Sequence, residues 1–289
     1  MRFWVNYHSH SHYCDGTDEP ANYIEEAIKK RLPAYGFSSH APVNFPTDWC
    51  ISDENFESYL SDVRKLKELH ADKIEVYLGL EIDFIPGISG RLKHIFKATP
   101  LDYFIGSVHF VDAFVDGTPW NIDTSFELFQ KGLKSIFKNN FRKAATRFYE
   151  ITRQMIAEDQ PDIIGHIDKI KMFNNNGRYF NESERWYAEQ LELTISTLKK
   201  QNTIVEINTR GFYRYGQNDL YPGEQIIKKL TKANIPLMIN SDAHKPDEII
   251  MGMPYAARKI MDLGVSEIYA LQNGKWNAFS FNEEGLHWK

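Results

Sequence analysis

The sequence predicts an α/β chain in which seven parallel strands close into a barrel. Seven short apolar runs alternate with stretches of helical periodicity along the 289 residues, the pattern of repeated βα units. No glycine-rich dinucleotide turn follows the first run, which favours a closed barrel over an open nucleotide-binding sheet. Almost every histidine and acid suited to chemistry falls at the C-terminal end of a run, the catalytic face of such barrels.

The elements follow in order. The first run, 3–7, leads into Asn6-Tyr7-His8-Ser9-His10-Ser11-His12-Tyr13-Cys14-Asp15-Gly16. Strand residues two apart share a face, so His8 and His10 project together while Asp15 returns from the loop. A helix follows over Pro20 to Lys30, with Asp18 as its cap. The second run, 35–39, ends at His40, and Ser52 to His70 carries apolar residues at helical spacing. In the third run, 74–82, Glu81 lies between Leu80 and Ile82, where a carboxylate needs a partner or a cation; Asp83 points the same way by period two. The fourth, 102–108, leads to His109.

Residues Val111 to Asn139 break the alternation. Their aromatic and polar mix predicts a long loop with short helices at the barrel mouth. Helical stretches over 140–158, 182–200, 222–233 and 255–263 separate the remaining runs at 162–167, 203–208 and 235–241. The fifth run carries His166, and the seventh leads into Asp242-Ala243-His244.

Composition bounds the function. A hydrophobic fraction of 42% supplies a core for one barrel domain over residues 1–289. A net charge of −5 and a pI near 6.1 give no footprint for nucleic acid. Two cysteines, Cys14 and Cys50, imply no disulfide framework. No apolar run approaches the roughly 18 residues of a membrane span, and His8 comes too early to leave room for a secretory signal. The expectation is a cytoplasmic protein.

Nine residues stand out together: His8, His10, Asp15, His40, Glu81, His109, His166, Asp242 and His244. Imidazole and carboxylate suit a divalent transition ion such as zinc, manganese or iron. His12 aligns with His8 and His10 by period two, and is expected to face substrate or to stand behind a ligand.

This set resembles the ligand pattern of the polymerase-and-histidinol-phosphatase (PHP) superfamily of metallohydrolases, over essentially the whole chain. The flanking Gly79-Leu80-Glu81, Gly106-Ser107-Val108-His109, Gly165-His166-Ile167-Asp168 and Glu206-Ile207-Asn208-Thr209, with Gly211, are similar to the stand-alone histidinol-phosphate phosphatases of this length. The resemblance implies a distorted (β/α)7 barrel holding three divalent metal ions. His8, His10, Glu81 and Asp242 would hold the first; Glu81 would bridge to a second with His109 and His166; Asp15, His40 and His244 would hold the third. Asn6 departs from the aspartate that many relatives carry there, without removing a ligand.

The implied reaction is hydrolysis of a small phosphate monoester, L-histidinol phosphate, to L-histidinol and phosphate in histidine biosynthesis. Divalent ions make hydroxide available near neutral pH and neutralise phosphoryl charge. Glu81, Asp242 and His244 are the expected catalytic residues, with Asp242 or a rim histidine as acid for the departing alkoxide. Arg214 is the first choice to meet phosphate, followed by Arg210 and Lys171; Trp120, Asp123 and Tyr221 are candidates for the histidinol half. Competing readings are another phosphoesterase of the superfamily (a nucleotide or sugar phosphatase, or a small exonuclease) and a metal-stabilised binding protein with a degenerate site. The intact ligand set argues against the last.

Overall fold

The apolar runs become strands where β-branched and aromatic residues cluster between turns. A computed structural model describes residues 1–91, 94–215 and 220–288. Six strands pair in parallel: β2 (Ala34–Phe37), β3 (Glu75–Asp83), β4 (Tyr103–Ser107), β7 (Ile163–Ile164), β8 (Ile204–Asn208) and β9 (Leu237–Asn240), in that spatial order. Helices cover the outside, which is why these strands read as nearly continuous apolar runs. In α2 (Asp53–Leu69), Ser52 caps the first turn, and Phe56, Tyr59, Leu60, Val63 and Leu66 form the buried face. At α1 (Pro20–Lys29) the cap position is Glu19 rather than Asp18, whose carboxylate instead accepts from Asn22 and Thr17.

The seventh strand position differs from expectation. Only Arg2–Phe3 (β1) is a regular strand, and it pairs antiparallel with β12 (Gly285–His287). Residues 6–10 fill the gap between β2 and β9 through the isolated parallel bridges Asn6–Tyr35 and Ser9–Ala243. Side-chain amides replace part of the ladder: Tyr7 N donates to Asn240 Oδ1 at 2.9 Å and Ser241 N to Asn6 Oδ1 at 3.0 Å. The result is a distorted, closed α/β barrel.

Two further departures concern the connections. Residues 111–139 are not a loop with short helices: β5 (Phe110–Ala113) and β6 (Pro119–Asn121) form a hairpin, followed by the 12-residue α4 (Phe126–Phe137). After α9 (Met253–Asp262), β10 (Glu267–Gln272) and β11 (Lys275–Asn282) join β12 and β1 in an antiparallel sheet. Its first turn is Asn273-Gly274, both at positive φ, a two-residue hairpin signal present in the sequence. Among the described residues no helix is long and apolar enough to cross a membrane.

This terminal sheet seals the barrel at the end opposite the strand C-termini. Trp276 of β11 packs at 5.7 Å from the Tyr7 ring and 6.2 Å from Tyr103. Tyr103 lies inside the barrel because Gly36 and Gly79 face it; a Cβ on either would come within 2.5 Å of its ring or hydroxyl. Its hydroxyl reaches the Tyr7 carbonyl at 2.6 Å and the Phe37 carbonyl at 2.9 Å, tying residues 6–10 to β2. Replacing Tyr103 with Phe removes the one O–H that these two buried carbonyls share. We expect a loss of about 1–3 kcal/mol in urea unfolding; an unchanged midpoint would remove Tyr103 from the closure.

Candidate metal centre

Period two on the strands sends alternate side chains into the barrel, and the inner face becomes polar toward the C-terminal ends. Tyr77 and Gly79 precede Glu81 and Asp83 on β3; Tyr103 and Ile105 precede Ser107 on β4. Glu81 is 1% exposed, and five histidines surround it. Its Oε2 lies 3.1 Å from His8 Nε2, 3.2 Å from His40 Nδ1 and 3.5 Å from His10 Nε2. Its Oε1 lies 3.1 Å from His166 Nε2 and 3.7 Å from His109 Nε2, and accepts from Ser107 Oγ at 2.5 Å. One carboxylate thus joins two halves of the cluster.

Asp242 and Asp15 complete it. Asp242 Oδ1 stands 3.3 Å from His10 Nε2, 3.5 Å from His244 Nδ1 and 3.7 Å from His8 Nε2. Its backbone is left-handed, φ 57°, uncommon outside glycine but tolerated by aspartate; Arg210 Nη1 donates to its carbonyl at 2.9 Å. Asp15 reaches His244 Nε2 at 3.1 Å, His10 Nδ1 at 3.6 Å and His40 Nε2 at 3.8 Å. All nine residues singled out in the sequence therefore lie in one contiguous cluster.

The charge states are divided. Burial and the neighbouring His244 push His10 down to about 4, and burial above all takes His40 down to about 3. Both are neutral near pH 7, with lone pairs free to bind a cation. Burial would also lower His109, but Asp83 and Asp123 outweigh it and raise it to about 10. His8 behaves likewise: Glu206, Asp242 and Glu81 overcome burial and hold it well above the usual range. Burial would raise the carboxyls; against it, the histidines hold Glu81, Asp242 and Asp15 well below the carboxylate range.

The donor set fits divalent metal. His10 Nε2 and His40 Nδ1 are buried without a hydrogen-bond partner, an expensive condition unless the lone pairs meet a cation. Four overlapping groups have their donor atoms within 4.8 Å of one another: His10, Asp15, His40 and His244; His8, His10 and Asp242; His8, Glu81 and His166; His40, Asp83 and His109. His8, His10 and His40 each appear in two of them. The far ring nitrogens are committed elsewhere. His8 Nδ1 meets Glu206 at 2.6 Å and His109 Nδ1 meets Asp83 at 3.0 Å, the arrangement that fixes the tautomer of a metal-binding histidine.

Above the cluster opens a cleft of about 330 Å³, lined among others by Asp48, Trp49, Asn121, Asp123, Lys169 and Arg210. Of the residues expected to meet phosphate, Arg210 lines this cleft, whereas Arg214 and Lys171 do not. Lys171 is buried between Asp168 at 2.9 Å and Glu182 at 2.8 Å and does not line the cleft. Arg214 is exposed on α7 (Arg210–Tyr215) and also lies outside the lining. His12 is exposed, 3.4 Å from Glu19. Lys169, missed in the sequence, takes the cleft position, 3.3 Å from Asp123; Arg210 shares the lining. Glu206 was also missed, although a carboxylate in the apolar run Ile204–Asn208 carries the signal that marked Glu81.

Comparison with known proteins identifies the family and the fold. The PHP domain family model matches residues 6–210. A Schizosaccharomyces pombe protein named "Probable histidinol-phosphatase" is 26% identical, over 93% of this chain and 90% of its own. The Bacillus subtilis protein named histidinol-phosphatase is 23% identical, over 86% and 96%. Among solved structures, one from Listeria monocytogenes superposes with a TM-score of 0.74 at 20% identity, over 87% of this chain and 99% of its own. The Lactococcus lactis histidinol phosphate phosphatase, solved with zinc, L-histidinol and phosphate, gives 0.67 at 21% identity, over 95% and 98%. With its cluster of histidines and carboxylates at the mouth of a parallel barrel, the chain belongs to the PHP domain family.

Proposed function

We propose that this protein is a metal-dependent phosphomonoesterase that hydrolyses L-histidinol phosphate to L-histidinol and phosphate in the cytoplasm, as a step of histidine biosynthesis. The observation that carries the chemistry is Glu81, buried and bridging five histidines. The substrate rests on the relatives that align along nearly their whole length and bear the histidinol-phosphatase name. Three divalent ions, zinc, manganese or iron, suit the donor set. His8, His10, Glu81 and Asp242 would hold one, Glu81, His109 and His166 a second, and Asp15, His40 and His244 a third. Bound there, such ions supply hydroxide near neutral pH and offset phosphoryl charge.

The chain's own side chains do the rest. Glu81 holds the two halves of the cluster in register. Lys169 and Arg210 bring fixed positive charge to the cleft for the phosphoryl oxygens. Asp242, as its carboxylate, and His244 line the cleft with Arg210, and His244 would supply the proton that the departing alkoxide needs. Trp49, edge-on to His40 and His109 at 4.5 and 5.6 Å, with Asp48 beside it in the lining, suits the imidazole and amine of histidinol.

Three measurements test the reading. With metal-replete protein, kcat/KM for L-histidinol phosphate should reach about 10⁴–10⁸ M⁻¹s⁻¹ and exceed that for sugar and nucleotide monophosphates. His109→Asn should lower metal content and cut kcat/KM by about 10–100-fold while the fold persists; full activity with normal metal would discard that ligand. Lys169→Ala and Arg210→Ala should each lose more kcat/KM than Arg214→Ala, and the opposite order would move phosphate recognition out of the cleft.

A pH dependence follows from the two raised histidines. In the metal-free protein His8 and His109 carry protons at neutral pH, and each must release one before its ring nitrogen can bind a cation. Zinc binding should therefore liberate protons at pH 7, and affinity should rise with pH toward about 10, the value of His109. Calorimetry in buffers of different ionisation enthalpy reads the protons directly. Binding without proton release would show that neither histidine gives up a proton to the metal.

A further inference from the structure

Glu206 is fully buried inside the barrel on β8, outside the proposed ligand set, yet each of its oxygens is engaged twice. Oε1 meets His8 Nδ1 at 2.6 Å and accepts from Asn240 Nδ2 at 3.0 Å. Oε2 accepts from the His166 backbone N–H at 3.1 Å and from Asn208 Nδ2 at 3.0 Å. Asn208 spends its second amide hydrogen on Asp242 Oδ2, also at 3.0 Å, which leaves Asp242 Oδ1 toward His8, His10 and His244. Asn240 in turn accepts from Tyr7 N at 2.9 Å, beside His8. Three segments remote in sequence, around His8, His166 and Asp242, thus converge on one carboxylate.

We infer that Glu206 is the positioning residue of the metal centre: it fixes His8 with Nδ1 protonated and Nε2 facing Glu81 and Asp242, and sets the backbone at His166. The reasons are geometric. An imidazole has two nitrogens, and the one that binds metal is chosen by the hydrogen bond of the other. Glu206 holds the Nδ1 side of His8, while Nε2 stands 3.1 Å from Glu81 Oε2. A glutamine cannot replace it. One of its two terminal atoms becomes an NH₂ group, which would face donors from either Asn240 and His8 or Asn208 and the His166 N–H. The carboxylate is needed because every partner donates, and burial of the charge is tolerable because four donors answer it.

The inference rests on the metal reading of His8 and is independent of the substrate. The test uses the full chain, stripped of metal and titrated with zinc against a chromophoric chelator. Glu206→Gln should weaken the tightest zinc binding by about 10–100-fold. Tyr103→Phe, which loosens the opposite end of the barrel, should keep wild-type affinity. Equal affinity in wild type and Glu206→Gln overturns the inference, as does an equal loss in both variants, which would mark general destabilisation. A wild type that binds neither zinc, manganese nor iron overturns the proposed function, and the inference with it. A second measurement needs no variant: ¹⁵N-histidine spectra of the zinc-loaded wild type should show the His8 proton on Nδ1, and a proton on Nε2 overturns the inference.

Discussion

The structure depends on keeping Glu81 ionised inside a barrel. A lone carboxylate out of water costs several kcal/mol, and the molecule answers with hydrogen bonds from His8 at one oxygen and from His166 and Ser107 at the other. The histidines can converge only because they come from the ends of several different parallel strands. Each strand contributes one or two polar side chains at its last inward positions, while the positions below stay apolar. A parallel barrel supplies that gradient naturally, since every strand reaches the same face.

The polar end has a structural counterpart at the other end. Tyr7, Tyr77, Tyr103 and Trp276 pack together below the cluster, and the Tyr7 hydroxyl is bonded to Leu271 of β10 at 2.7 Å. The N-terminal segment therefore performs two tasks within a few residues. Tyr7 anchors it to the sealed end, and His8 and His10 serve the open one. A regular ladder would bond residues 6–10 through backbone groups alone; here Asn6 and Asn240 substitute their amides. That irregularity explains the isolated bridges, and it shows why an amide at position 6 is compatible with the site. Asn6 also donates to the His8 carbonyl at 3.1 Å, which an aspartate could not do when ionised.

Much of this was legible in the sequence. The strand rhythm is set by local composition, and the ligand positions follow from where apolar runs end; both are short-range properties. His8 and His10, two apart, and Glu81 between Leu80 and Ile82 needed no tertiary knowledge. The departures share a cause as well. Lys169 and Lys171 look equivalent in sequence, but on a tight turn one enters the cleft beside Asp123 and the other is buried against Asp168 and Glu182. Arg214 sits only four residues beyond Arg210 on the same short helix, and the direction of each side chain depends on how that helix docks. Glu206 differs: its place in an apolar run carries a signal, but it lines no cleft, and its partners come from segments remote in sequence. The terminal sheet was missed although Asn273-Gly274 announces its hairpin.

The charge of the cleft bears on how an anionic substrate enters at all. Its lining includes the carboxylates Asp15, Asp48, Glu81, Asp123 and Asp242, against the permanent cations Lys169 and Arg210. Lys169 is already paired with Asp123, and Arg210 lies 3.5 Å from Glu248. Without further positive charge, a phosphate dianion approaching this cleft meets an acidic field, and opposed charges at close range in a partly dehydrated site cost several kcal/mol. In the proposed reading, divalent ions on the histidine–carboxylate cluster reverse that field. They would then govern substrate binding as much as bond cleavage, because the protein supplies too little fixed positive charge to do so itself. The acids left at the rim, Asp48 foremost, would keep a negative margin around that centre. A substrate with phosphate at one end and a cationic head at the other matches such a gradient in one orientation only.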